Sequence, residues 1–221
     1  MPAGMLINMR QANATDLYDS CYAPPDMKMS AKPRDRILDV ADELFYGRGI
    51  HAVGVDEIVA RSGAAKTTLY AHFTSKDQLI ASYLQRRSDG WRVYLERELA
   101  RFGGAPAARI DRVFELLTEG CASPTFRGCP FINAAAEFPD PHHPARMVVA
   151  AHRAWLRQLF TDLAIEAEAN DPPTLAVWLC MLYDATMITA HLDPGEDAAS
   201  KSRDAARVLV ESVTGNVLTR S

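Results

Sequence analysis

Cysteine is scarce in this 221-residue sequence: Cys21, Cys121, Cys129 and Cys180 lie far apart and form no Cys-x-x-Cys pair. That argues against a disulfide framework and offers no zinc-ribbon or thioredoxin-type spacing. A surplus of positive charge is also lacking. With 24 Lys plus Arg against 28 Asp plus Glu, the net charge is −4. A uniformly basic nucleic-acid coat is thereby excluded, and any site for a polyanion has to be a local patch on an acidic body. The first residues show neither a basic n-region nor a sustained apolar stretch, so a secretory signal is not expected and a reducing cytoplasm is. The longest apolar run, 175–192, carries Asp184 near its middle and His191 near its end. Both are costly in lipid, so the run is expected to be a buried helix, with no membrane partner. Ser/His/Asp order, HExxH, P-loop and Gly-rich nucleotide fingerprints are all missing, which argues against an enzyme and calls for no cofactor.

What is present is material for a core, 48% apolar residues, and a helical period that begins at Pro33. Residues 1–31 show no periodicity and read as a flexible extension. Ile37, Val40, Ala41, Leu44 and Phe45 then recur at helical spacing, closed by Gly47 and Gly49. A short segment with Val55, Ile58 and Val59 on one face stops at Gly63, and another follows over 66–71; the pair makes a helix-turn-helix candidate. Ser75 and Gln78 form a capping box, with Asp77 where the helix dipole favours an anion. Leu79, Ile80, Tyr83, Leu84, Trp91, Tyr94, Leu95 and Phe102 carry that helix for about 26 residues, or about 39 Å. Helical patterns over 107–121, 130–138, 144–169, 173–192 and 198–218 follow, separated by Pro and Gly breakers. No alternating β pattern and no repeat competes, so the fold class is all-α with about nine helices. The expected division is 1–31 extension, 32–78 helix-turn-helix domain and 79–221 C-terminal domain.

Charge within 33–80 is balanced, with six basic and seven acidic residues, but its distribution is uneven. From 62 to 76 there is no carboxylate, while Lys66, Thr67, Thr68, Tyr70, His72 and Lys76 all offer donors. A helix entering the major groove needs short or flexible donors near its start for base edges and others on its flanks for phosphates. Lys66, Thr67 and Thr68 meet the first demand. Tyr70, His72 and Lys76 meet the second, Lys76 with help from the free N–H groups of the next helix start. Leu69 and Phe73 are the apolar side expected to anchor this helix to the first. Arg34 and Arg36 add charge neutralisation.

Arg36 through Gly49, Val55-Asp56-Glu57-Ile58-Val59, Gly63, the stretch Lys-x-Thr-Leu-Tyr-x-His-Phe-x-Ser-Lys from Lys66 to Lys76, and Ser75 to Leu79 together resemble the DNA-binding domain of TetR-family transcriptional regulators. The resemblance implies a helical homodimer that binds palindromic, double-stranded operator DNA and releases it when a small molecule enters the C-terminal domain. It also implies Lys66, Thr67 and Thr68 as base readers and Tyr70, His72 and Lys76 as phosphate contacts. Three departures stand out. Val53-Gly54 replaces a frequent Ser or Thr before the second helix, Ala65 replaces a frequent Ser cap, and Thr67 replaces a frequent Gly, so operator preference should differ.

In the C-terminal part, Val113, Phe114, Leu117, Phe131, Trp155, Leu159, Trp178, Met181 and Ile188 read mostly as core. Polar residues that interrupt apolar faces are more informative, since a ligand can supply a buried group's partner. Phe131, Asn133, Glu137, His152, Trp155 and Asp184 are therefore the candidate pocket for an unidentified small-molecule inducer, with satisfied core polar groups as the competing reading for His152 and Asp184. The stretch Gly128-Cys129-Pro130-Phe131-Ile132-Asn133 and Ala134 through Asp140 resembles one branch of the same family and names no inducer. Nothing near Cys121 and Cys129 is arranged to activate a thiol, and His142-His143 beside Asp140 reads as solvated rather than metal-binding. The 175–192 helix and a last helix with Ala205, Ala206, Leu209, Val213 and Val217 as its stripe are expected to form the homodimer, a four-helix bundle about a two-fold axis. The resulting expectation is a ligand-responsive repressor. An activator, or a regulator without a ligand, is the alternative, and an all-helical enzyme or carrier is a remoter one.

Overall fold

The computed structural model describes residues 32–194 and 197–214; among these it contains nine α-helices and no strand. The all-α expectation holds. The 1–31 extension, Cys21 and Val217 lie outside the described residues. Helices α1 (Pro33–Arg48), α2 (Val55–Ser62) and α3 (Lys66–His72) form an N-terminal head. From the head α4 (Lys76–Phe102) runs into a body made of α5 (Pro106–Cys121), α6 (Pro130–Glu137), α7 (Pro144–Glu166), α8 (Pro172–Leu192) and α9 (Ala198–Thr214).

The punctuation is local chemistry. Proline occupies the first turn of α1, α5, α6, α7 and α8, where a missing N–H removes no hydrogen bond. Gly63 ends α2 in the left-handed conformation at φ 64°, and the Ser75 hydroxyl accepts the Gln78 N–H at 3.1 Å to start α4. α7 stops at Glu166, short of the expected 169, because Glu168 adopts φ 56° and Ala169 N–H turns back to the Ala164 carbonyl at 3.0 Å. α8 begins with Asp171 as its cap, accepting the Thr174 N–H at 3.2 Å.

One contiguous core joins head and body. Ile37, Ala41, Leu44 and Phe45 of α1 meet Ile58 of α2 and Leu69 of α3, and the first half of α4 contributes Leu79, Ile80, Tyr83 and Leu84. Further along, Trp91, Tyr94, Leu95 and Leu99 of α4 are buried where it packs against α5 and α7. A buried ion pair crosses the seam between α1 and α4: Asp42 accepts from Arg87, whose guanidinium lies 4.1 Å above the Tyr46 ring. Arg86 adds bonds to Asp39 at 2.6 Å, Asp42 at 3.1 Å and the Leu38 carbonyl at 2.9 Å. In the body, Asp111 of α5 grips both Arg203 and Arg207 of α9 at 2.6–3.0 Å. Burial alone would raise its carboxyl, but the two guanidinium groups bring it below its ordinary value.

α8 is long and apolar enough to cross a bilayer, with a mean hydropathy of 1.4 over its best stretch. Its Leu175, Leu179, Tyr183 and Met187 are nevertheless buried within the body, and Asp184 is paired with Arg153 of α7 at 2.7 Å. The opposite side is open. Val177, Trp178, Met181 and Ile188 form an exposed stripe, Met181 to 64%, with Val208 exposed on neighbouring α9. The expected stripe on α9 is divided, since Ala206 is buried, Leu209 and Val213 are half-buried and Ala205 faces outward.

Candidate nucleic-acid interface

α3 is held by its two apolar side chains. Leu69 is fully buried and Phe73, just past its end, is 2% exposed, so both serve the anchoring role expected of them. Lys66, Thr67, Tyr70 and His72 consequently point outward, with Tyr70 43% exposed, while Thr68 is half-buried. Ala65 occupies the cap position of α3 and makes no side-chain bond, leaving the first N–H groups of the helix uncapped by any hydroxyl. Gly54 likewise starts α2 without a side-chain cap.

Electrostatically the head is more self-compensated than its basic residues suggest. The Lys66 ammonium lies 2.6 Å from Asp56 in the first turn of α2, and this hydrogen bond holds the lysine above its ordinary pKa. Arg48 pairs with Glu57, and Arg61 with Glu43 at 2.7 Å. Arg36 is half-buried and points its Nε at the Ser62 carbonyl, 3.4 Å away, tying α1 to the end of α2. Arg34 is exposed and stacks 5.2 Å above the Phe73 ring. Lys76 is half-buried; its ammonium donates to the Ile50 carbonyl at 3.0 Å and lies 6.0 Å from the Phe45 ring centre. A phosphate contact from Lys76 would use its remaining two donors.

Behind this face, the body grips the loop between α1 and α2. Glu137, at the end of α6, accepts the Ile50 N–H at 2.8 Å and the His51 N–H at 2.7 Å, and His51 Nδ1 sits 2.7 Å from the same carboxylate. Partial burial works in the other direction, yet these donors bring the Glu137 carboxyl below its ordinary value. Tyr46 makes a second link: its hydroxyl donates to the Gly128 carbonyl at 2.9 Å and accepts the Arg127 N–H at 2.8 Å. His143 makes a third. Its Nδ1 accepts the Ala145 N–H at 3.2 Å, leaving Nε2 to carry the proton toward Asp77 at 3.4 Å, and its ring stacks on Phe138 at 4.0 Å. A cleft of about 280 Å³ lies along this seam, with Tyr46, Arg48, Arg127, Asn133, Glu137 and His191 on its walls.

The six residues proposed for a ligand pocket therefore separate into two groups. Phe131, His152 and Trp155 come together: His152 stacks on Phe131 at 3.6 Å and meets the Trp155 ring at a tilt, 5.5 Å away, with Nδ1 3.0 Å from the Ser88 hydroxyl of α4. Arg92 lies 5.1 Å from the Trp155 ring. Burial, reinforced by Arg92 and Arg153, pushes the His152 pKa down to about 3, so the ring is neutral. Asp184 is paired with Arg153, the residue beside His152 on α7. Asn133 and Glu137 face the seam instead, Asn133 donating to the Arg127 carbonyl at 3.0 Å. A larger cleft of about 610 Å³ lies elsewhere, between α1 and α4, with Arg34, Arg86 and Arg97 on its walls.

Burial raises the thiols of Cys121 to about 12 and of Cys129 and Cys180 to about 11, far from thiolate chemistry at neutral pH. Among the described residues no three His, Cys, Asp or Glu side chains gather as metal ligands. The seam went unrecognised in the sequence. Glu137 was singled out only as a polar interruption of an apolar face, and nothing in the pattern ties it to a loop 86 residues earlier.

Known proteins match along most of the chain. Residues 37–83 match the family described as bacterial regulatory proteins, tetR family, and residues 106–206 match the tetracyclin repressor-like C-terminal domain. An uncharacterized HTH-type transcriptional regulator of Mycobacterium tuberculosis is 39% identical over 188 residues, covering 81% of this chain and 85% of its own. The HTH-type transcriptional repressor ComR of Escherichia coli is 38% identical over 143 residues, 63% of this chain and 68% of its own. The HTH-type transcriptional activator FasR of Mycolicibacterium smegmatis is 48% identical, but over only 56 residues, 25% of this chain and 26% of its own. Among solved structures, a TetR-family transcriptional regulator from Streptomyces coelicolor superposes with a TM-score of 0.78 at 33% identity, covering 86% of this chain and 100% of its own.

Proposed function

Because this chain belongs to the TetR family of bacterial transcriptional regulators, we propose that it is a cytoplasmic repressor that leaves a palindromic operator when a small molecule binds its body. The observation that carries the reading is the array of donors on α3 and at the start of α4, in which Lys66, Thr67, Tyr70 and His72 point outward and Thr68 and Lys76 are half-buried. Lys66, Thr67 and Thr68 stand at the start of α3 for base edges, and Tyr70, His72 and Lys76 flank them for phosphates, while Leu69 and Phe73 fix the helix beneath. The repressor sense draws support from the likeness to ComR over more than half of both chains. We assign 32–78 as the DNA-binding domain and 79–221 as the sensing and pairing domain.

Two copies would pair through α8 and α9. Support comes from the exposed apolar residues Val177, Trp178, Met181 and Ile188 on α8 and Val208 on α9, the two helices expected to build a two-fold bundle. Sensing belongs to the Phe131, His152, Trp155 and Arg153–Asp184 group, which touches α4 through Ser88. A ligand that binds only the arrangement with displaced heads shifts the population away from DNA.

The test is selection of bound fragments from random DNA, followed by gel-shift titration. Lys66→Ala and Tyr70→Ala are each expected to weaken the selected duplex about tenfold. Wild-type affinity in both variants would remove these residues from the interface. Repeating the selection with a metabolite panel identifies the releasing compound, and a promoter fusion reads the sign of regulation. The high identity to FasR favours the activator alternative in that one respect, and higher reporter output with the protein present would establish it.

A further inference from the structure

We propose that Glu137 is a positioning residue for operator recognition: from the end of α6 its carboxylate fixes the α1–α2 loop and, through that loop, the orientation of α2 and α3. The proposal rests on the reading of α3 as the DNA-facing helix.

The geometry is specific to a carboxylate. Oε1 takes the Ile50 N–H and Oε2 takes the His51 N–H, so each oxygen serves one of two consecutive main-chain amides that lie between helices. Buried or half-buried amides outside helices need such partners. The His51 ring nitrogen adds a third donor to Oε2. Charge-assisted bonds of this kind are stronger than bonds between neutral groups. Gly49 makes the approach feasible. Its φ of 90° lies in the range that side-chain-bearing residues rarely adopt, and it turns the following amides toward α6. The carbonyl of Ile50 is taken from the other side by Lys76 of α4, so this single peptide segment is held by α4 and by α6 together.

From there the path to α3 is short and stiff. Ile50 and Val53 are buried in the head core, Val53 N–H turns back to the Ile50 carbonyl at 3.4 Å, and α2 begins at Val55. The end of α2 is tied to α1 by Arg36 and passes through Gly63 directly into α3. Glu137 therefore lets the body index the tilt of the reading helix without touching it. Phe138, the next residue, stacks on His143, which reaches Asp77 in the first turn of α4, so the same corner of the body braces both the α1–α2 loop and the start of α4.

The experiment uses the full chain in four forms: wild type, Glu137→Ala, Glu137→Gln and Lys66→Ala. Amide hydrogen exchange is read at Ile50 and His51, and affinity is read on a duplex selected by the wild type and on a random-sequence duplex. Glu137→Ala is expected to speed exchange at those two amides at least about tenfold and to weaken the selected duplex at least about tenfold, while random-sequence affinity stays within about twofold. Glu137→Gln keeps one acceptor oxygen and should fall between. Unchanged exchange would remove the latch itself. Faster exchange with unchanged affinity for the selected duplex would show a latch that does not orient α3, and an equal loss on both duplexes would show general loosening of the head; either result overturns the proposal. If Lys66→Ala binds the selected duplex like wild type, the reading of α3 fails and the positioning role falls with it, although the exchange data would still report the latch.

Discussion

Head and body use their polar residues in opposite ways. On the head, the donors of α3 point to solvent and are supported by two buried side chains, Leu69 and Phe73, while the charges around them pair at the surface. In the body, the informative polar groups turn inward: His152 lies between aromatic rings, Asp184 holds Arg153, and Asp111 holds two arginines of α9. A surface array can be rewritten residue by residue with little effect on folding, whereas an internal one is coupled to packing. Substitutions in the first kind of array are therefore expected to leave the fold intact, and substitutions in the second to disturb packing.

The seam gives the largest expected effect, because there both habits meet. Asp42→Ala leaves the buried Arg87 guanidinium without its carboxylate and should destabilise the protein by about 3–5 kcal/mol, measured by denaturant unfolding. A loss below about 1 kcal/mol would place the seam with the head's surface pairs instead.

Within the body, His152 should make stability depend on pH. The unfolded ring takes a proton near pH 6.5, but the folded ring does so only near 3, so the unfolded state binds more protons between those values. The contribution is complete above about pH 6.5 and is lost as pH falls toward 3, at up to about 1.4 kcal/mol per pH unit. His152→Gln should flatten this slope relative to wild type in thermal melts from pH 7 to 4.5. Parallel curves would mean that water or relaxation already accommodates the charged ring.

The smallest effect belongs to the head. Asp56→Asn frees Lys66 from its surface partner, so duplex affinity should rise about two- to fivefold at low salt. The dependence of log affinity on log salt should steepen by about one unit, because one more lysine exchanges counterions on binding. Salt titrations that superpose for both proteins would show that the pair is already exchanged for solvent in the free protein.

Much of the head was legible because its boundaries are set by neighbours in sequence. Pro33, Gly63 and Ser75 each act within one turn of their own position, and the structure puts helix ends at all three. The apolar spacing also identified Leu69 and Phe73 as the inner side of α3. The body was less legible for a physical reason. Periodicity tells which side of a helix is apolar but not which helix it will face. Asn133 and Glu137 share one helix with Phe131, yet Glu137 bonds the head and Asn133 lines the cleft beside it while Phe131 meets His152. The Lys66–Asp56 pair was hidden for a similar reason: the carboxylate-free stretch begins only after Asp56, which the helix-turn-helix fold brings back to within 2.6 Å.

The 27 residues of α4 make a rod about 40 Å long, with one end in the head and the rest running along the body to an exposed last turn. Small rotations are magnified over such a span: a swing of about 5° moves the far end by about 3.5 Å, close to the 3.4 Å rise of one base-pair step. Ser88 and Trp91 lie about 18–22 Å along the rod from its head end, so a rearrangement around them that tilts the rod by about 10° would carry the amino-terminal helices a full step out of register with a duplex.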